Sequence, residues 1–428
     1  MRRARHSVWA ILVYVGIGLL APAWASGAAE GEWPWWRGPN RDGKSPDAGL
    51  LKEWPAGGPK KLWQADDIGS GFSTVAVSGG LIYTTGDVGG RTTKDARGRP
   101  TILGRRLVLF AFDMDGKLQW KQDIDAAWTR SRPGSRSTPT INGDRLYLLS
   151  GNGVITCRDA RSGQERWTKN TREFGGRSGG WGYAESILIL GKLAIVKPGG
   201  GKCIIALDKA TGQTVWASSG FSAGPEYSSC LPFTYQGRLC LATGTRSGLV
   251  CVDAADGTLL WSNPWSRNNT ANCPDPAYAD GRVFWANGYG KGGICMKLKV
   301  EDGKVAADQA WTTKDMVCHH GGYVIHDGYI YGNNGGGWAC LDLKSGQTKW
   351  NARGVGKGSV CWADGMLYLF GESRGKAGLA TCSPDGFEMK GTFSVEGSGP
   401  SWAHPVVIGG RLYLRYDTHL YCFDIKAR

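Results

Sequence analysis

One short motif recurs along this chain and constrains its fold more than any other feature. Five copies share a small residue, an Asp two places later, a Gly and, four places after it, a Trp: AFDMDGKLQW (111–120), CRDARSGQERW (157–167), ALDKATGQTVW (206–216), CVDAADGTLLW (251–261) and CLDLKSGQTKW (340–350). The Asp carboxylate can accept hydrogen bonds from turn N–H groups, while the Gly takes the positive φ that a tight hairpin demands. Each copy therefore predicts a strand, a tight turn and a second strand.

Three further segments carry parts of the same motif. KVEDGKVAADQAW ends at Trp311 after a longer turn, and SPDGFEMKGTF has Phe393 in the Trp position. In GPKKLWQADD (58–67), Trp63 closes a copy whose front half is missing. We expect the large rings to dock between neighbouring sheets, and the predicted docking residues are Trp63, Trp120, Trp167, Trp216, Trp261, Trp311 and Trp350.

A second motif, a strand, a Gly turn and another strand, precedes each of these units except the one around Trp63. It occurs eight times, as AVSGGLIYTT, PTINGDRLYLLS, ILILGKLAIV, FTYQGRLCLAT, AYADGRVFWAN, YVIHDGYIYG, CWADGMLYLFG and VVIGGRLYLRY. Four short strands per unit, repeated roughly every 40 to 60 residues, indicate the blades of a β-propeller. The 67 Gly and 20 Trp residues agree, because such a composition is typical of many short strands joined by tight turns.

The two ends of the repeat region are incomplete in complementary ways. The last opening, VVIGGRLYLRY, has no outer strand after it, whereas Trp63 has no opening before it. The segment around Trp63 is therefore predicted to supply the fourth strand of the C-terminal blade, which removes an exposed sheet edge. The predicted fold class is all-β: an eight-bladed β-propeller of four-stranded antiparallel blades (68–428), closed by a strand of an N-terminal extension (26–67).

The first 25 residues are predicted to be a signal peptide. A basic start is followed by a 13-residue apolar run (8–20) and by the small-x-small pattern Ala23-Trp24-Ala25. That run is shorter than the roughly 20 residues of a membrane-spanning helix, although an uncleaved anchor is the alternative. We expect an exported, periplasmic or extracellular monomer with no transmembrane segment in the mature chain.

The net charge of +14 indicates which kinds of partner such a protein can attract. An exported basic chain meets anionic surfaces, glycans or acidic proteins rather than nucleic acid. The linkers between blades and an insertion in the first blade form a predicted Arg-rich face for an unknown protein or anionic ligand, although a solvated set of loops is the alternative. The arginines are Arg130, Arg132, Arg136, Arg172, Arg177 and Arg267 in the linkers, with Arg91, Arg97, Arg99, Arg105 and Arg106 in the insertion.

The 12 cysteines do not form a recognisable metal or redox motif, because no C-x-x-C occurs. Four of them occupy the small-residue slot of the repeat, which Ala111 and Ala206 fill in other copies, and are predicted to be buried thiols: Cys157, Cys251, Cys340 and Cys422. Five others are free to form disulfides of undetermined connectivity: Cys230, Cys240, Cys273, Cys318 and Cys361.

Residues just before each innermost strand are predicted to converge on a central funnel. They are Ser73 or Thr74, Ser137, Glu185, Ser229, Asp275, His320, Ser359 and His404, and the alternative is that they satisfy neighbouring backbone groups. Because adjacent residues on a strand point to opposite faces, His319 and His320 are not expected to bind one ion together, and no metal site is predicted. One of the two histidines with Glu185, Asp275 or His404 is the alternative. No catalytic residue is predicted.

The Trp motif resembles the docking repeat of PQQ-type quinoprotein dehydrogenases and of their non-catalytic relatives of the BamB type. WPWWRGPNRDGKS (33–45), WGYAES (181–186) and HHGGYVIHDGYIYG (319–332) are similar, more narrowly, to exported bacterial PQQ-like β-propeller repeat proteins. The resemblance covers nearly all of the chain after the signal peptide. It is specific for the fold, whereas a fold does not determine chemistry.

The resemblance also implies what a quinoprotein would need. Those enzymes hold PQQ between a Trp and a disulfide of adjacent cysteines, beside Ca²⁺ bound by Glu, Asn and Asp. Trp181 and Glu185 resemble the ring platform and the metal carboxylate, but the rest of the set has no counterpart here, and no two cysteines are adjacent. The candidate funnel ligands are Trp181, Glu185, Asp275, His320 and His404.

The predicted function is an exported binding or protein-interaction scaffold of the cell envelope, without a cofactor. The first alternative is an alcohol or sugar dehydrogenase that depends on PQQ with Ca²⁺. The second is a carbohydrate-binding or carbohydrate-active propeller.

Overall fold

Eight four-stranded antiparallel sheets are arranged as blades around one axis, in a computed structural model that describes residues 31–94, 98 and 100–427. The predicted fold class is confirmed, including all eight inner hairpins. The predicted signal peptide (1–25) lies outside the described residues, as do Arg97 and Arg99. Within the described part of the chain, no helix is long and apolar enough to cross a membrane.

Each blade begins with a short, buried strand at the axis and ends with an exposed outer strand. From the innermost to the outermost strand, blades 1 to 4 contain β2 (Ala76–Ser78), β3 (Leu81–Val88), β6 (Arg106–Asp113) and β7 (Leu118–Ala126); β8 (Thr140–Asn142), β9 (Arg145–Leu149), β10 (Val154–Asp159) and β11 (Glu165–Asn170); β12 (Leu188–Leu190), β13 (Leu193–Val196), β14 (Ile205–Asp208) and β15 (Thr214–Ala217); and β16 (Leu231–Tyr235), β17 (Arg238–Thr245), β18 (Gly248–Asp253) and β19 (Leu259–Asn263).

Blades 5 to 8 follow the same order. They contain β20 (Ala277–Ala279), β21 (Arg282–Asn287), β22 (Gly292–Glu301) and β23 (Lys304–Thr313); β24 (Tyr323–His326), β25 (Tyr329–Asn333), β26 (Trp338–Asp342) and β27 (Thr348–Ala352); β28 (Gly358–Ala363), β29 (Met366–Gly371), β30 (Lys376–Thr381) and β31 (Met389–Ser394); and β32 (Val406–Ile408), β33 (Arg411–Tyr416), β34 (His419–Asp424) and β1 (Lys60–Ala65). The insertion in blade 1 is a hairpin of β4 (Arg91–Lys94) and β5 (Pro100–Leu103), and a 3₁₀ helix spans Thr171–Phe174.

The two incomplete ends of the repeat join in blade 8. Strand β1 pairs antiparallel with β34, so that Lys60 faces Asp424 and Trp63 faces Cys422. The C-x-D half of the motif thus comes from the C-terminal strand and the G…W half from GPKKLW, which confirms the predicted closing strand.

Four of the seven predicted docking residues, Trp63, Trp167, Trp311 and Trp350, donate a hydrogen bond to a carbonyl of the next blade. The indole N–H of Trp63 in blade 8 donates to the carbonyl of Met114 in blade 1 at 2.9 Å. That of Trp167 in blade 2 donates to the carbonyl of Lys209 in blade 3 at 3.1 Å. In the third example, Trp350 donates to Ser383 at 2.8 Å. We call the seven docking indoles and the turns that they contact the docking belt.

The small-residue slot of the repeat lies directly opposite each docking Trp. Trp167 faces Cys157 and Trp216 faces Ala206, and the register shifts just beyond each pair. A small side chain at that position leaves room for the indole on the same face of the sheet. The four slot cysteines are buried free thiols, as predicted, and the five cysteines left open to bridging are free as well.

Candidate functional site

An N-terminal segment, residues 33–45, crosses the axis of the ring, and we call it the plug. Its backbone forms bridges from Trp33 to Val77 in blade 1 and from Lys44 to Trp362 in blade 7. The guanidinium groups of Arg37 and Arg41 donate to Tyr323 O of blade 6 at 2.6 Å and to Ile187 O of blade 3 at 2.5 Å. Contacts with the innermost parts of blades on all sides place the plug in the central channel.

A buried polar network holds the plug. Trp36 Nε1 donates to the Asp275 carboxylate at 2.6 Å, which also accepts the Ser229 N–H at 2.6 Å. Burial raises the pKa of Asp275, opposed by the charge of Arg37 and by these hydrogen bonds. Burial lowers the pKa of Arg41 to about 10, so this arginine keeps its charge at neutral pH.

A pocket with a volume of about 210 Å³ lies on the axis, and Trp36 of the plug forms part of its wall. The walls are largely aromatic, with Trp36, Phe72, Trp181, Tyr227, Tyr289 and Trp402. The rings contact one another: Trp36 lies 4.5 Å from His404, Phe72 lies 4.6 Å from Trp402, and Trp181 meets Tyr227 edge-on at 5.7 Å between centroids. These contacts hold the walls in position, so the aromatic faces are largely pre-formed.

Two arginines add positive charge to the pocket. The Arg136 guanidinium donates to the Gly134 carbonyl at 2.8 Å and lies 5.9 Å from the Phe72 ring, whereas Arg132 is exposed. Both guanidinium groups line the pocket, and among the described residues neither has a carboxylate within ion-pair distance, although the charge of the buried Asp87 stabilises that of Arg136 from farther away. Their charge is therefore available to an anion that enters it.

A cluster of two histidines, a carboxylate and an ammonium forms one side of the pocket. The Nδ1 atoms of His319 and His320 each lie 3.6 Å from Glu372 Oε1. Lys357 Nζ lies 3.0 Å from Glu372 Oε2 and 2.6 Å from His319 Nδ1. Because an ammonium can only donate, His319 Nδ1 accepts this bond, and its Nε2–H faces Tyr289 Oη at 3.0 Å.

The charges in this cluster follow from its surroundings. Burial by itself would raise the pKa of Glu372, but His319, His320 and the Lys357 ammonium together hold that pKa well below its ordinary value. Burial lowers the pKa of His320 to about 4 and, with the charge of Arg37, lowers that of His404 to about 3. The carboxylate is therefore ionised at neutral pH, and these two imidazoles are neutral.

The expectation that His319 and His320 cannot face one ion together is wrong. Their ring centroids are 3.6 Å apart, and both rings face Glu372. The alternation rule applies to strands, but this segment precedes β24, which begins only at Tyr323. Its irregular backbone lets neighbouring side chains point the same way.

The five candidate ligands divide into two groups. Trp181, His320 and His404 line the pocket. Glu185 and Asp275 are buried outside the lining, where Glu185 accepts the Lys197 N–H at 2.5 Å and Asp275 holds Trp36. Burial raises the pKa of Glu185 to about 7, opposed mainly by Lys197.

The other predicted funnel residues mostly satisfy backbone groups of neighbouring blades. Thr74 Oγ1 donates to His404 O at 2.7 Å, and Ser359 Oγ donates to Ala403 O at 3.0 Å. These bonds tie adjacent innermost strands together. These residues therefore fit the alternative given above, in which their side chains satisfy neighbouring backbone groups.

Several residues of the site were missed by sequence reasoning. Glu372, Lys357 and Trp402 come from linkers and strand ends that do not belong to the repeats, and Trp36 comes from the plug. In the sequence, only its resemblance to relatives marks the plug. Its cluster of Trp and Arg residues outside any repeat is the one signal that could have marked it.

The predicted Arg-rich face is only partly a single surface. Arg130, Arg172 and Arg177 line an open groove of about 530 Å³ beside Trp128, with the Arg130 guanidinium 5.4 Å from the indole. Arg106 instead pairs with Asp123 at 2.8 Å on the outer strands of blade 1. In the pocket and in this groove, a described guanidinium lies over an aromatic ring.

The comparisons with known proteins identify the family. A family model described as outer membrane protein assembly factor BamB, from the PQQ-like propeller repeats, matches residues 49–173 and 105–352. The chain belongs to this PQQ-like propeller family. No protein among the curated sequences matches it.

Solved structures share the propeller fold at low sequence identity. BamB from Moraxella catarrhalis is 14% identical with a TM-score of 0.54, and the match covers 80% of this chain and 98% of that one. Quinohemoprotein alcohol dehydrogenase from Comamonas testosteroni is 12% identical with a TM-score of 0.63, over 94% and 82% of the two chains. The computationally designed Ika8 protein is 10% identical with a TM-score of 0.55, over 86% and 100%. At such identities these matches show the fold alone.

Proposed function

We propose that this PQQ-like propeller is an exported binding scaffold of the cell envelope, and that its axial pocket takes an anionic, ring-bearing group of a small molecule or of a partner protein. The observation that carries the proposal is the pair Arg132 and Arg136, which line an aromatic pocket and form no direct ion pair with a carboxylate among the described residues. The export of the chain rests on its predicted signal peptide.

The chemistry of the pocket favours such a group over other ligands. Aromatic walls bury and stack against a planar ring, while guanidinium groups form charge-assisted hydrogen bonds with carboxylate, sulfate or phosphate oxygens. An organic cation beside the two arginines is disfavoured, because the guanidinium groups of Arg132 and Arg136 would repel it.

A PQQ-dependent dehydrogenase is the alternative that the likeness to the quinohemoprotein enzyme suggests. The residues present do not fit the cofactor set that the family resemblance implies. Trp181 lines the pocket, but Glu185 and Asp275 are engaged with Lys197 N, Trp36 and Ser229 outside it. The pocket cysteine, Cys273, is a free thiol with no adjacent cysteine.

A carbohydrate-binding role is the second alternative, because aromatic faces also stack against sugars. Neutral sugars, however, carry no negative charge to balance the two guanidinium groups. Binding of neutral oligosaccharides on a glycan array would favour this alternative.

The proposal can be tested with benzene-1,3,5-tricarboxylate as a probe, by isothermal titration calorimetry on the full chain. Cyclohexane-1,3,5-tricarboxylate keeps the charges but lacks the aromatic ring, and benzylammonium reverses the charge. We expect the aromatic tricarboxylate to bind several-fold more tightly than the saturated one and benzylammonium not to bind.

Two matched variants locate the binding. Arg132→Gln should weaken binding of the aromatic tricarboxylate about tenfold, which corresponds to about 1.4 kcal/mol. Arg267→Gln changes an exposed arginine that does not line the pocket and should leave the affinity unchanged. Equal weakening by both variants, or a preference for benzylammonium, contradicts the proposal.

The dehydrogenase alternative has its own experiment. Purified protein is incubated with PQQ and Ca²⁺ and assayed for dye-linked oxidation of alcohols and sugars. Saturable PQQ binding with substrate-dependent dye reduction would replace the scaffold with an enzyme.

A further inference from the structure

The histidine cluster at the side of the pocket contains polar atoms that the protein leaves unsatisfied. Glu372 Oε1 and His320 Nδ1 are buried and have no hydrogen-bond partner among the described residues. At 3.6 Å, their separation is too long for a hydrogen bond. Buried polar groups are normally paired, so two orphaned atoms facing each other indicate a missing partner between them.

The geometry of the cluster matches an ion-binding site. The candidate donor atoms of His319, His320 and Glu372 all lie within 4.8 Å of one another. Ligands about 2.1 Å from a tetrahedral Zn²⁺ stand about 3.4 Å apart, close to the 3.6 Å that separates Glu372 Oε1 from each Nδ1 atom.

We infer that His319 Nδ1, His320 Nδ1 and Glu372 bind a divalent transition-metal ion of the Zn²⁺ class, in exchange for the Lys357 ammonium. Two imidazoles and one carboxylate are a donor set that such ions accept, and hard cations such as Mg²⁺ and Ca²⁺ prefer all-oxygen ligands. Three protein ligands leave one tetrahedral position for water or for an anion.

Lys357 is central to this inference because it competes with the ion. Its ammonium takes the His319 Nδ1 lone pair at 2.6 Å, and that lone pair is the one that a metal would need. The Lys357 side chain is 33% exposed, so it can turn toward solvent when an ion displaces it. Metal and ammonium are therefore alternative cations for the same carboxylate.

The inferred ion site does not require the anionic, ring-bearing ligand of the proposed function. His319 and His320 both line the pocket, so the open coordination position faces the space where an anion would enter. Only this last step, an anion as fourth ligand, rests on the proposed function.

The test uses the full chain, stripped with EDTA and titrated with Zn²⁺, with Co²⁺ as a spectroscopic probe of tetrahedral coordination. We expect one ion per chain and the intense visible absorption of four-coordinate Co²⁺. His320→Gln and Glu372→Gln should each weaken Zn²⁺ binding at least tenfold. Lys357→Met should strengthen it, because the competing cation is removed.

A control variant separates this site from adventitious surface binding. His326 lies 3.3 Å from the Asp327 carboxylate away from the pocket, so His326→Gln should leave the affinity unchanged. The inference fails if neither the wild-type protein nor Lys357→Met binds one Zn²⁺, or if His326→Gln abolishes the binding. The gain expected for Lys357→Met cannot be produced by misfolding.

The outcomes also distinguish this inference from the proposed function. Binding of benzene-1,3,5-tricarboxylate in the presence of EDTA, with no Zn²⁺ binding, overturns the ion site alone. Binding of Zn²⁺ with no affinity for the tricarboxylate overturns the anionic pocket alone.

Discussion

The docking belt and the axis of the ring differ in how the chain supplies their residues. The belt contacts repeat one pattern, seen at Trp167 and Trp216, in which an indole packs on the turn of the next blade and faces a small residue of the neighbouring strand. The axis has no such pattern, because the plug and the linkers contribute each side chain once. The repeated contacts build a ring, and the unrepeated ones determine what the ring can hold.

The largest expected effect comes from removing the segment that serves both regions. Deletion of residues 31–67 removes β1 and the plug together, which exposes the edge of β34 and leaves the buried Asp275 without Trp36. We expect this variant to lose its cooperative thermal unfolding transition, measured by circular dichroism.

A deletion elsewhere provides the control for that experiment. Removing the β4–β5 hairpin, residues 91–103, takes away a sheet that pairs only with itself. This second variant should melt close to the full chain. If the 31–67 deletion also melted like the full chain, the ring would not need its closing strand.

The second prediction compares the closing blade with an ordinary one inside the belt. Trp63→Ala and Trp167→Ala each remove a half-buried indole that donates to the neighbouring blade. Each should lower the free energy of unfolding by about 3 kcal/mol in urea titrations. A much smaller loss for Trp63→Ala would show that blade 8 is held by the plug rather than by the belt.

The third prediction concerns a charge buried near the axis. The pKa of Glu185 is raised to about 7 in the folded protein, whereas its ordinary value is 4.5. Between these two values the folded state binds more protons than the unfolded state, so stability from this group falls as the pH rises. Wild-type protein should lose about 2–3 kcal/mol of unfolding free energy through this group between pH 4.5 and pH 7, and Glu185→Gln should abolish that loss.

The measurement for Glu185 is the difference between wild-type and variant unfolding free energies at a series of pH values. That difference should grow in favour of Glu185→Gln as the pH rises and level off above pH 7. A constant difference would mean that Glu185 is not buried as a titrating carboxyl.

The smallest expected effect lies on the outside of the ring. Arg106 and Asp123 form an ion pair at 2.8 Å, but their side chains are 47% and 53% exposed. Because water and salt screen such pairs, Arg106→Gln should cost about 0.5 kcal/mol or less. A larger loss of unfolding free energy in urea titrations would show that ion pairs on the outer strands contribute more to stability than expected.

The difference between belt and axis also explains what the sequence could predict. The eight hairpins, the docking tryptophans and the joining of Trp63 to the C-terminal strand follow from local patterns that recur, so one copy supports another. The contacts of Trp36, Lys357 and Glu372 have no second copy and depend on the tertiary arrangement of linkers. The expectation for His319 and His320 is wrong for the same reason, because strand alternation does not hold in a segment whose backbone is irregular.

The pairing of β1 with β34 has a consequence for the time course of folding. These strands are more than 350 residues apart in the chain, so their contact has one of the largest loop-closure costs in the molecule. Such distant contacts slow folding, and the seven other blades can form from local hairpins before this one is complete. We therefore expect the segment that comes first in the propeller to be placed last, in a late step that closes the ring and fills its centre.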